Sequence, residues 1–296
     1  MKASLVFWVE KYFYNPNFFQ ISFSSFLLPL SWIYCFGMWF RFKTKIAEDF
    51  GIKIISVGNL TVGGSGKTPL VTALASRYKK PAIILRGYGR ESKGLYVVKD
   101  TETILCDVSI SGDEAMIYAT KLENAIVIVS EDRKKGIHKA KEMGAEVIFL
   151  DDAYSKHDIK KIDILIDVKS QNSDCLPSGP FRERLWKGKQ AIVVQEGLAF
   201  QREVSLKQAT KKMSLVTAIA RPERLDSFLP EVVSKTYFED HHRFTKEELQ
   251  KILTRDKSDS LLVTLKDYVK IDSFGLALSL LDLEVKINEE SFKEVL

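Results

Sequence analysis

Lys53-Ile-Ile-Ser-Val-Gly-Asn-Leu-Thr-Val-Gly-Gly-Ser-Gly-Lys-Thr68 is the segment of this 296-residue sequence from which its architecture follows. It begins as an apolar run typical of a buried strand, and a glycine-rich turn then leads into a helix-like stretch at Pro69. Its last eight residues match the Walker A pattern of phosphate-binding loops, except that Thr61 stands where the general pattern has Gly. A plain strand-to-helix connection is the alternative, and the order of strand, loop and helix disfavours it.

The residue types in this loop suit contact with nucleotide phosphates. Glycines let backbone N–H groups approach phosphate oxygens because no Cβ blocks the way. In such loops the lysine reaches the β- and γ-phosphates and the next hydroxyl binds Mg²⁺, which assigns these tasks to Lys67 and Thr68. The predicted nucleotide-binding residues are Thr61, Val62, Gly63, Gly64, Ser65, Gly66, Lys67 and Thr68.

Apolar runs and helix-like stretches alternate after this loop. This alternation predicts an α/β fold with a mostly parallel sheet covered by helices on both faces. Strands are predicted at 52–57, 82–85, 125–129, 146–150 and 163–168, and helices at 69–78, 113–122 and 136–143. Later strands are predicted near 191–195, 215–219, 231–238 and 261–265. The predicted domains are an N-terminal segment (1–50), a nucleotide-binding core (51–175) and a smaller C-terminal α/β domain (176–296) with room for part of it to return to the core.

The N-terminal segment is unusual because residues 12–40 contain 12 aromatic side chains and no charge. Its length just suffices to span a membrane, but serines dilute it and Pro29 is expected to break a helix near its centre. Aromatic side chains prefer the headgroup level of a bilayer, and Arg41, Lys43 and Lys45 follow directly. The pattern favours one or two short helices in a membrane interface over a true span. A buried hairpin in a soluble core is the alternative.

Composition narrows the range of functions. Lys and Arg number 44 against 39 Asp and Glu, and this small surplus favours a small anionic ligand or a lipid headgroup over a nucleic acid. The three cysteines, Cys35, Cys106 and Cys175, are too few and too dispersed for a disulfide framework or a cysteine-based zinc site. They suit a reducing compartment.

Two acidic pairs are candidates for metal binding or acid–base chemistry. Asp151-Asp152 ends a predicted strand, where a second metal-binding group is expected, with a helix cap as the alternative. Asp113-Glu114 opens a predicted helix, where the helix dipole alone also favours carboxylates. Asp113 is the candidate for orienting or deprotonating an acceptor hydroxyl. The adjacent pair His241-His242 is poorly spaced for chelation, and its functional and structural interpretations stay open.

Several blocks together resemble the tetraacyldisaccharide 4′-kinase family over about residues 50–270. Besides the loop, they are Leu85-Arg-Gly-Tyr-Gly-Arg90, Gly112-Asp-Glu114, Glu131-Asp-Arg133, Leu150-Asp-Asp152, Leu176-Pro-Ser-Gly-Pro180, Ala220-Arg-Pro-Glu-Arg224, Asp240-His-His242 and Thr264-Leu-Lys-Asp267. The aromatic N-terminal segment and Thr61 at the start of the loop also resemble this family. So many blocks in the family's order are far more specific than a phosphate-binding loop alone.

The resemblance implies a P-loop NTPase-like core with a smaller C-terminal domain. It implies a kinase that uses ATP and Mg²⁺ to phosphorylate the 4′-hydroxyl of an acylated glucosamine disaccharide 1-phosphate in lipid A biosynthesis. The implied location is the cytoplasmic face of the bacterial inner membrane, peripheral or N-terminally anchored, with no nucleic-acid or protein partner. Among single residues, Lys67 and the base Asp113 are implied to be catalytic, with His241 orienting Asp113. The implied metal-side groups are Thr68, Glu114 and Asp152.

Arg86 and Arg90 of the Gly-Tyr-Gly block either face phosphate or form a cationic surface turn. One block departs from the family, which usually continues its acidic pair as Asp-Asp-Gly-Phe-Gln-His. This chain reads Asp151-Asp-Ala-Tyr-Ser-Lys-His157, so Lys156 takes the place of the usual histidine and no role is assigned to His157.

Two other classes of protein remain under consideration. One is a membrane-associated regulatory ATPase or GTPase switch, although Thr264-Leu-Lys-Asp267 has the wrong spacing for the Asn-Lys-x-Asp motif that binds guanine. The other is a non-catalytic lipid-binding protein with a vestigial loop. The presence of Lys67, Thr68 and both acidic pairs argues against such decay.

Overall fold

The computed structural model describes residues 2–63, 66–219, 222–240 and 242–296. Its strands are β1 (Lys53–Gly58), β2 (Pro81–Leu85), β3 (Tyr96–Lys99), β4 (Ile126–Val129), β5 (Val147–Asp151), β6 (Ile162–Ile166), β7 (Ile192–Val194), β8 (Phe200–Lys207), β9 (Met213–Thr217), β10 (Ser234–Tyr237), β11 (Ser260–Thr264) and β12 (Leu278–Ile287). Its α-helices are α1 (Lys2–Tyr14), α2 (Phe18–Thr44), α3 (Lys67–Ala75), α4 (Val108–Ser111), α5 (Asp113–Lys121), α6 (Arg133–Glu142), α7 (Lys246–Asp256) and α8 (Leu265–Ile271). The chain forms two compact units, the first made of Met1–Lys67, Val147–Phe200 and Asn288–Leu296, the second of Thr68–Glu146 and Gln201–Ile287.

The first unit contains four parallel strands in the order β5-β1-β6-β7. Val57 of β1 lies in register with Asp151 of β5 and with Ile164 of β6. All five residues of β5 and all but the first of β1 are buried. Burial on both faces explains why these strands are continuous apolar runs in the sequence. The carboxyl ends of β1 and β5 meet at the edge from which the glycine-rich loop starts.

The second unit contains two groups of strands. In the first group β2 and β4 are parallel and β3 is antiparallel to β4. The second group has the order β10-β9-β11-β12-β8, and its first four strands are parallel. Helices α7 and α8 cover one face of this sheet through Leu249, Ile252 and Ile271. The predicted α/β class, mostly parallel with covering helices, is confirmed, whereas the division into three domains stays a prediction.

Three strands have no counterpart among the predicted ones: β3, β8 and β12. The residues of β8 are mostly exposed and include Arg202, Glu203 and Lys207, so the strand lacks the apolar pattern on which strand prediction depends. In β12 the chain alternates buried and less buried residues, with Asp282 among the buried ones. A polar residue at a buried position interrupts the alternation of apolar and polar residues by which a strand is recognised in a sequence.

The N-terminal segment forms two helices, and the expected break at Pro29 is wrong. Helix α2 runs through Pro29 for 27 residues. Its start is fixed by a capping box in which Asn17 Oδ1 accepts from Gln20 N and Gln20 Oε1 accepts from Asn17 N. Pro29 removes one backbone hydrogen bond of the helix, and the many remaining bonds of so long a helix tolerate that loss.

Cys35 of α2 and Cys175 form a disulfide, and their Cα atoms are 6.0 Å apart. The dispersed cysteines did not lead us to expect such a bond, because residues separated by 140 positions carry no local sign of their distance in the fold. Cys106 is a free thiol.

Asp256, the last residue of α7, ties this helix to two strands of the second unit. Its carboxylate accepts hydrogen bonds from Arg255 Nε at 2.7 Å, from Ser214 of β9 at 2.9 Å and from Ser234 of β10. The Arg255 hydrogen bond, supported by the two serines, holds the pKa of Asp256 well below its usual value.

A carboxyl group whose pKa is depressed by folding stabilises the native state above its unfolded pKa, and this contribution fades as the pH falls toward the folded value. We therefore expect Asp256→Asn to lower the free energy of unfolding at neutral pH, and the deficit relative to wild type to shrink below about pH 4. Urea unfolding of both proteins across this range measures the effect. A deficit of constant size down to about pH 2 would contradict it.

Candidate active site

The glycine-rich loop connects β1 to α3, as its sequence predicts. Gly63 and Gly66 have φ values of 96° and 72°, in the left-handed region that glycine adopts without strain. Helix α3 begins at Lys67, so the loop ends at the positive end of a helix dipole, which favours anions. Gly64 and Ser65 of the predicted nucleotide-binding set lie outside the described residues.

Asn59, directly after β1, connects the start of this loop to two cationic side chains. Its buried Nδ2 donates to the Thr61 carbonyl oxygen at 2.8 Å and to Thr61 Oγ1 at 3.2 Å. Its Oδ1 accepts from Lys67 Nζ at 3.1 Å and from Arg182 Nη2 at 3.0 Å. A single amide group therefore holds the loop backbone and orients two positive charges toward one point.

Residues 180–183 run alongside the loop in the first unit. The Leu60 carbonyl oxygen accepts from the backbone N–H groups of Arg182 and Glu183 at 2.9 and 3.1 Å. Val62 N donates to the Pro180 carbonyl oxygen at 2.9 Å. The Leu176-Pro-Ser-Gly-Pro180 block leads directly into the segment that pairs with the loop through these backbone hydrogen bonds. This pairing explains why the block and the loop motif occur together in the sequence.

Arg182 pairs with Asp152, a predicted metal-side residue. Its guanidinium donates to the two Asp152 carboxylate oxygens at 2.5 and 2.9 Å, a bidentate geometry. Neither Arg182 nor Asn59 was predicted from the sequence as a site residue. The available signs were a polar residue directly after a buried strand and a basic residue directly after a Pro/Gly loop.

The described side chains near the loop that could bind a divalent cation are one hydroxyl group and two carboxylates. Thr68 is the second residue of α3. Asp151 ends β5, and Asp152 follows it with φ 51° and its Oδ1 3.7 Å from Lys67 Nζ. No three His, Cys, Asp or Glu side chains within the described ranges cluster as a metal site on their own. A cation bound at any one of these groups would take its remaining ligands from phosphate oxygens and water, as Mg²⁺ commonly does.

A cavity of about 370 Å³ lies beside these groups in the first unit. It is lined by Tyr34, Met38, Arg41, Asn59, Asp152, Tyr154, Ser155, Arg182 and Glu183. The first three of these residues belong to α2, whereas Asn59 belongs to the start of the phosphate-binding loop. Both arginines in the wall are paired, Arg41 with Glu183 and Arg182 with Asp152. Helix α2 and the loop thus contribute to a single charged cavity.

His157, to which the sequence assigned no role, belongs to a buried ionic network in the same unit. Its Nδ1 lies 2.8 Å from Lys189 Nζ, and its Nε2 lies 3.8 Å from Glu183 Oε2. Lys189 Nζ also pairs with Asp163 at 3.1 Å. Burial lowers the pKa of the nearby Lys161 to about 8, while the Asp163 carboxylate opposes that shift. This network packs the segment after β5 against β6, which is a structural task.

The second unit holds Asp113, the candidate base. It is the first residue of α5 and only 6% exposed. Its Oδ2 lies 3.3 Å from Lys270 Nζ and 4.0 Å from Lys266 Nζ, both on α8. A buried carboxylate stays ionised only where opposite charges or hydrogen bonds offset its lost hydration, and these two lysines supply such charges.

The remaining predicted residues differ in their surroundings. Glu114, next to the candidate base on α5, is exposed. His241 lies outside the described residues. Its neighbour His242 has Nε2 3.0 Å from Glu248 Oε2 and stacks on the ring of Phe238.

The two arginines of the Gly-Tyr-Gly block also differ. Arg86 is exposed. Arg90 Nη2 donates to Glu131 Oε1 at 2.5 Å and to the Gly94 carbonyl oxygen at 2.6 Å. These bonds give Arg90 a structural role within the second unit.

Helix α2 has the reverse polarity of a helix in a soluble core. Its buried side chains are Gln20, Ser24 and Ser31, and both serines hydrogen-bond to Ser178 at 2.8 Å. Its large apolar side chains point outward: Phe18, Phe19, Phe26, Trp32, Ile33, Phe36 and Phe40 are all more than half exposed. Within the part of the chain that the structure describes, α2 alone is long and apolar enough to cross a membrane. An apolar surface of this size suits lipid.

A parallel sheet, a glycine-rich loop at a helix N-terminus and an oriented lysine define a P-loop nucleotide-binding protein, here with an apolar N-terminal helix. The family model for tetraacyldisaccharide-1-P 4′-kinase, LpxK, matches residues 23–296. The chain belongs to this family, which confirms the resemblance noted in its sequence.

Individual relatives agree with this assignment. The chain is 47% identical to the tetraacyldisaccharide 4′-kinase of Aliarcobacter butzleri, over 98% of this chain and 95% of the relative. It is 44% identical to the protein of that name from Helicobacter pylori, over 97% and 93% of the two chains. A crystal structure of LpxK from Aquifex aeolicus in complex with ATP matches with a TM-score of 0.74 and 26% identity, over 92% of this chain and 98% of the other.

Proposed function

We propose that this chain is a kinase that transfers the γ-phosphate of ATP to the 4′-hydroxyl of tetraacyldisaccharide 1-phosphate in lipid A biosynthesis. One observation carries the proposal: a phosphate-binding loop with an oriented lysine lies in a chain 47% identical, over nearly its whole length, to a protein named for this reaction. The alternative of a regulatory ATPase or GTPase switch is not favoured, because the relatives that match are named as kinases of this lipid.

Phosphoryl transfer requires the reactants to be held in line and the developing charge to be neutralised. The loop backbone and the N-terminus of α3 bind phosphate oxygens, and Lys67 reaches the β- and γ-phosphates. Arg182 shares Asn59 Oδ1 with Lys67 and so presents a second cation nearby. Thr68, with Asp152 or Glu114, is proposed to hold Mg²⁺, which supplies charge neutralisation when bound.

Asp113 is proposed as the general base that accepts the proton of the 4′-hydroxyl as that oxygen attacks the γ-phosphorus. An ionised carboxylate held by ammonium groups at fixed distances supports this role, because a base must be oriented as well as deprotonated. His241 is proposed to orient the same carboxylate. The acceptor carries several acyl chains, so the reaction is proposed to take place at the cytoplasmic face of the inner membrane.

The exposed apolar face of α2 is the proposed membrane contact. We expect Phe26→Ser, Trp32→Ser and Phe36→Ser, combined, to lower partitioning onto phospholipid vesicles at least about 100-fold, because each large apolar side chain contributes about 1.5–3 kcal/mol when fully buried. Vesicle flotation measures the partitioning. Leu198→Ser is the matched control, since it removes a side chain that is 74% exposed elsewhere in the same unit. Equal binding by the triple variant and wild type would remove α2 as the contact.

Transfer of labelled γ-phosphate from ATP to tetraacyldisaccharide 1-phosphate in detergent micelles tests the proposed reaction. The expected product carries the label on the 4′-oxygen and does not form without the acylated acceptor. Nucleotide hydrolysis that proceeds at the same rate with and without acceptor, and with no labelled lipid, would favour a regulatory switch instead.

A further inference from the structure

Helix α8 carries two charged side chains, Asp267 and Lys270, that are largely shielded from solvent. Asp267 is fully buried, and the Lys270 side chain is 9% exposed. The sequence drew attention to this region as a block that resembles the tetraacyldisaccharide 4′-kinase family and as a motif with the wrong spacing for guanine. Buried charges are costly unless they are paired, so each must have a partner that offsets its lost hydration.

Asp267 is fixed by neutral donors from neighbouring elements. Its Oδ2 accepts from the Thr217 and Thr264 hydroxyls at 2.7 and 2.8 Å. Its Oδ1 accepts from Ala218 N at 3.2 Å. The carboxylate is therefore locked between the end of β9 and the start of α8, where it forms a rigid negative anchor.

Lys270 lies between this anchor and the candidate base. Its Nζ is 3.6 Å from Asp267 Oδ1 and 3.3 Å from Asp113 Oδ2. The aliphatic part of the chain brings the ammonium group within 5.8 Å of the Phe244 ring centroid. Both contacts are ion pairs without a hydrogen bond, and of the two carboxylates Asp267 is the one held in place by neutral donors.

We propose that Lys270 is a positioning residue for phosphoryl transfer: paired with Asp267, it fixes the Asp113 carboxylate in the orientation in which it accepts the proton of the acceptor hydroxyl. This inference rests on the proposed function and on Asp113 as its base. A carboxylate acts as a general base only when it is held within reach of the proton that it accepts, and an ammonium group at 3.3 Å restricts its orientation.

Lys266, one turn earlier on α8, contacts Asp113 less closely than Lys270 does. Its Nζ lies 4.0 Å from Asp113 Oδ2 but 2.9 Å from Asp240 Oδ1, and its side chain is 22% exposed. Of these two carboxylates, Asp240 is therefore the closer one to Lys266. The two lysines form a matched pair on a single helix.

The first experiment compares Lys270→Met, Lys270→Arg and Lys266→Met by kcat and the KM for ATP. We expect kcat to fall about 100-fold in Lys270→Met with little change in the KM for ATP, because a misplaced base slows the transfer step and not nucleotide binding. Lys270→Arg keeps the charge and should recover at least about tenfold of that loss. An equal loss in Lys266→Met, or none in Lys270→Met, would overturn the assignment.

The second experiment separates positioning from general destabilisation. In an Asp113→Asn background, Lys270→Met should lower kcat by less than about threefold, since groups that act as a unit are not additive. A full 100-fold further loss there would mean that Lys270 acts only through the stability of the fold. In the double variant Asp267 keeps its neutral hydrogen-bond donors but loses its ammonium partner, so thermal unfolding is measured to verify that the variant folds. If wild type itself transfers no phosphate to the acceptor, the proposed function fails and not this inference alone.

Discussion

Lys67→Ala is expected to lower kcat for phosphate transfer by about 10³-fold. In the present structure the lysine ammonium is 3.1 Å from Asn59 Oδ1 and 3.7 Å from Asp152 Oδ1, at the N-terminus of α3. Two neighbouring oxygens therefore orient the ammonium group, and in the proposed mechanism it supplies charge stabilisation with little reorganisation when the γ-phosphate departs. Removal of one such oriented donor from an active site commonly costs 10²–10³-fold, and the lysine also carries a full charge.

Transfer of labelled phosphate to the acylated acceptor under saturating ATP measures this loss. Lys79→Ala is the matched control, because it removes a lysine that is exposed and lies after α3. Its rate should equal that of wild type. If Lys67→Ala kept more than about a tenth of the wild-type kcat, the lysine would have no role in the transition state, whatever it contributed to ATP binding.

Asp113→Asn is expected to lower kcat by 10²–10⁴-fold, the contribution that general-base catalysis commonly makes. The amide has the size and shape of the carboxylate but accepts no proton at neutral pH. Because Asp113 is buried at the start of α5, the substitution leaves the surrounding packing in place. The KM for ATP should change little, since the loop that binds phosphate is a separate element.

Steady-state kinetics with both substrates varied distinguishes these effects. Glu123→Gln, which changes an exposed carboxylate shortly after α5, serves as the control and should leave kcat unaffected. A kcat of Asp113→Asn within about threefold of wild type would show that the 4′-hydroxyl loses its proton to another group. The kinase reaction itself would still stand in that case, because Lys67 and the loop do not depend on the identity of the base.

The sequence predicted those structural elements that are determined by consecutive residues. The glycine-rich loop was readable because its strand, turn and helix are consecutive, and the buried parallel strands were readable because burial on both faces leaves a continuous apolar run. The continuous helix through Pro29 was not predicted. Proline commonly ends or kinks a helix, but in a 27-residue helix the remaining backbone hydrogen bonds tolerate the loss of one.

Contacts between residues that are far apart in the sequence were not predicted. Arg182 reaches Asn59 across 123 positions of sequence, and Cys35 meets Cys175 across 140. No periodicity or spacing records such distances. Lys270 was missed for the same reason, because its partner Asp113 belongs to a different block of the sequence and only their distance gives the lysine a function.

The outward aromatic face of α2 has a kinetic consequence. A chain held at a lipid surface meets an acylated acceptor by diffusion in two dimensions. The reaction rate then depends on the number of acceptor molecules per unit area of that surface and not per unit volume. Adding detergent that carries no acceptor, at a fixed total amount of acceptor, should therefore slow the reaction because it lowers the density of acceptor on the micelle surface. Serines on the inner side of the same helix hydrogen-bond to Ser178, close in sequence to Arg182, so the proposed membrane contact and a support of the phosphate-binding loop share one helix.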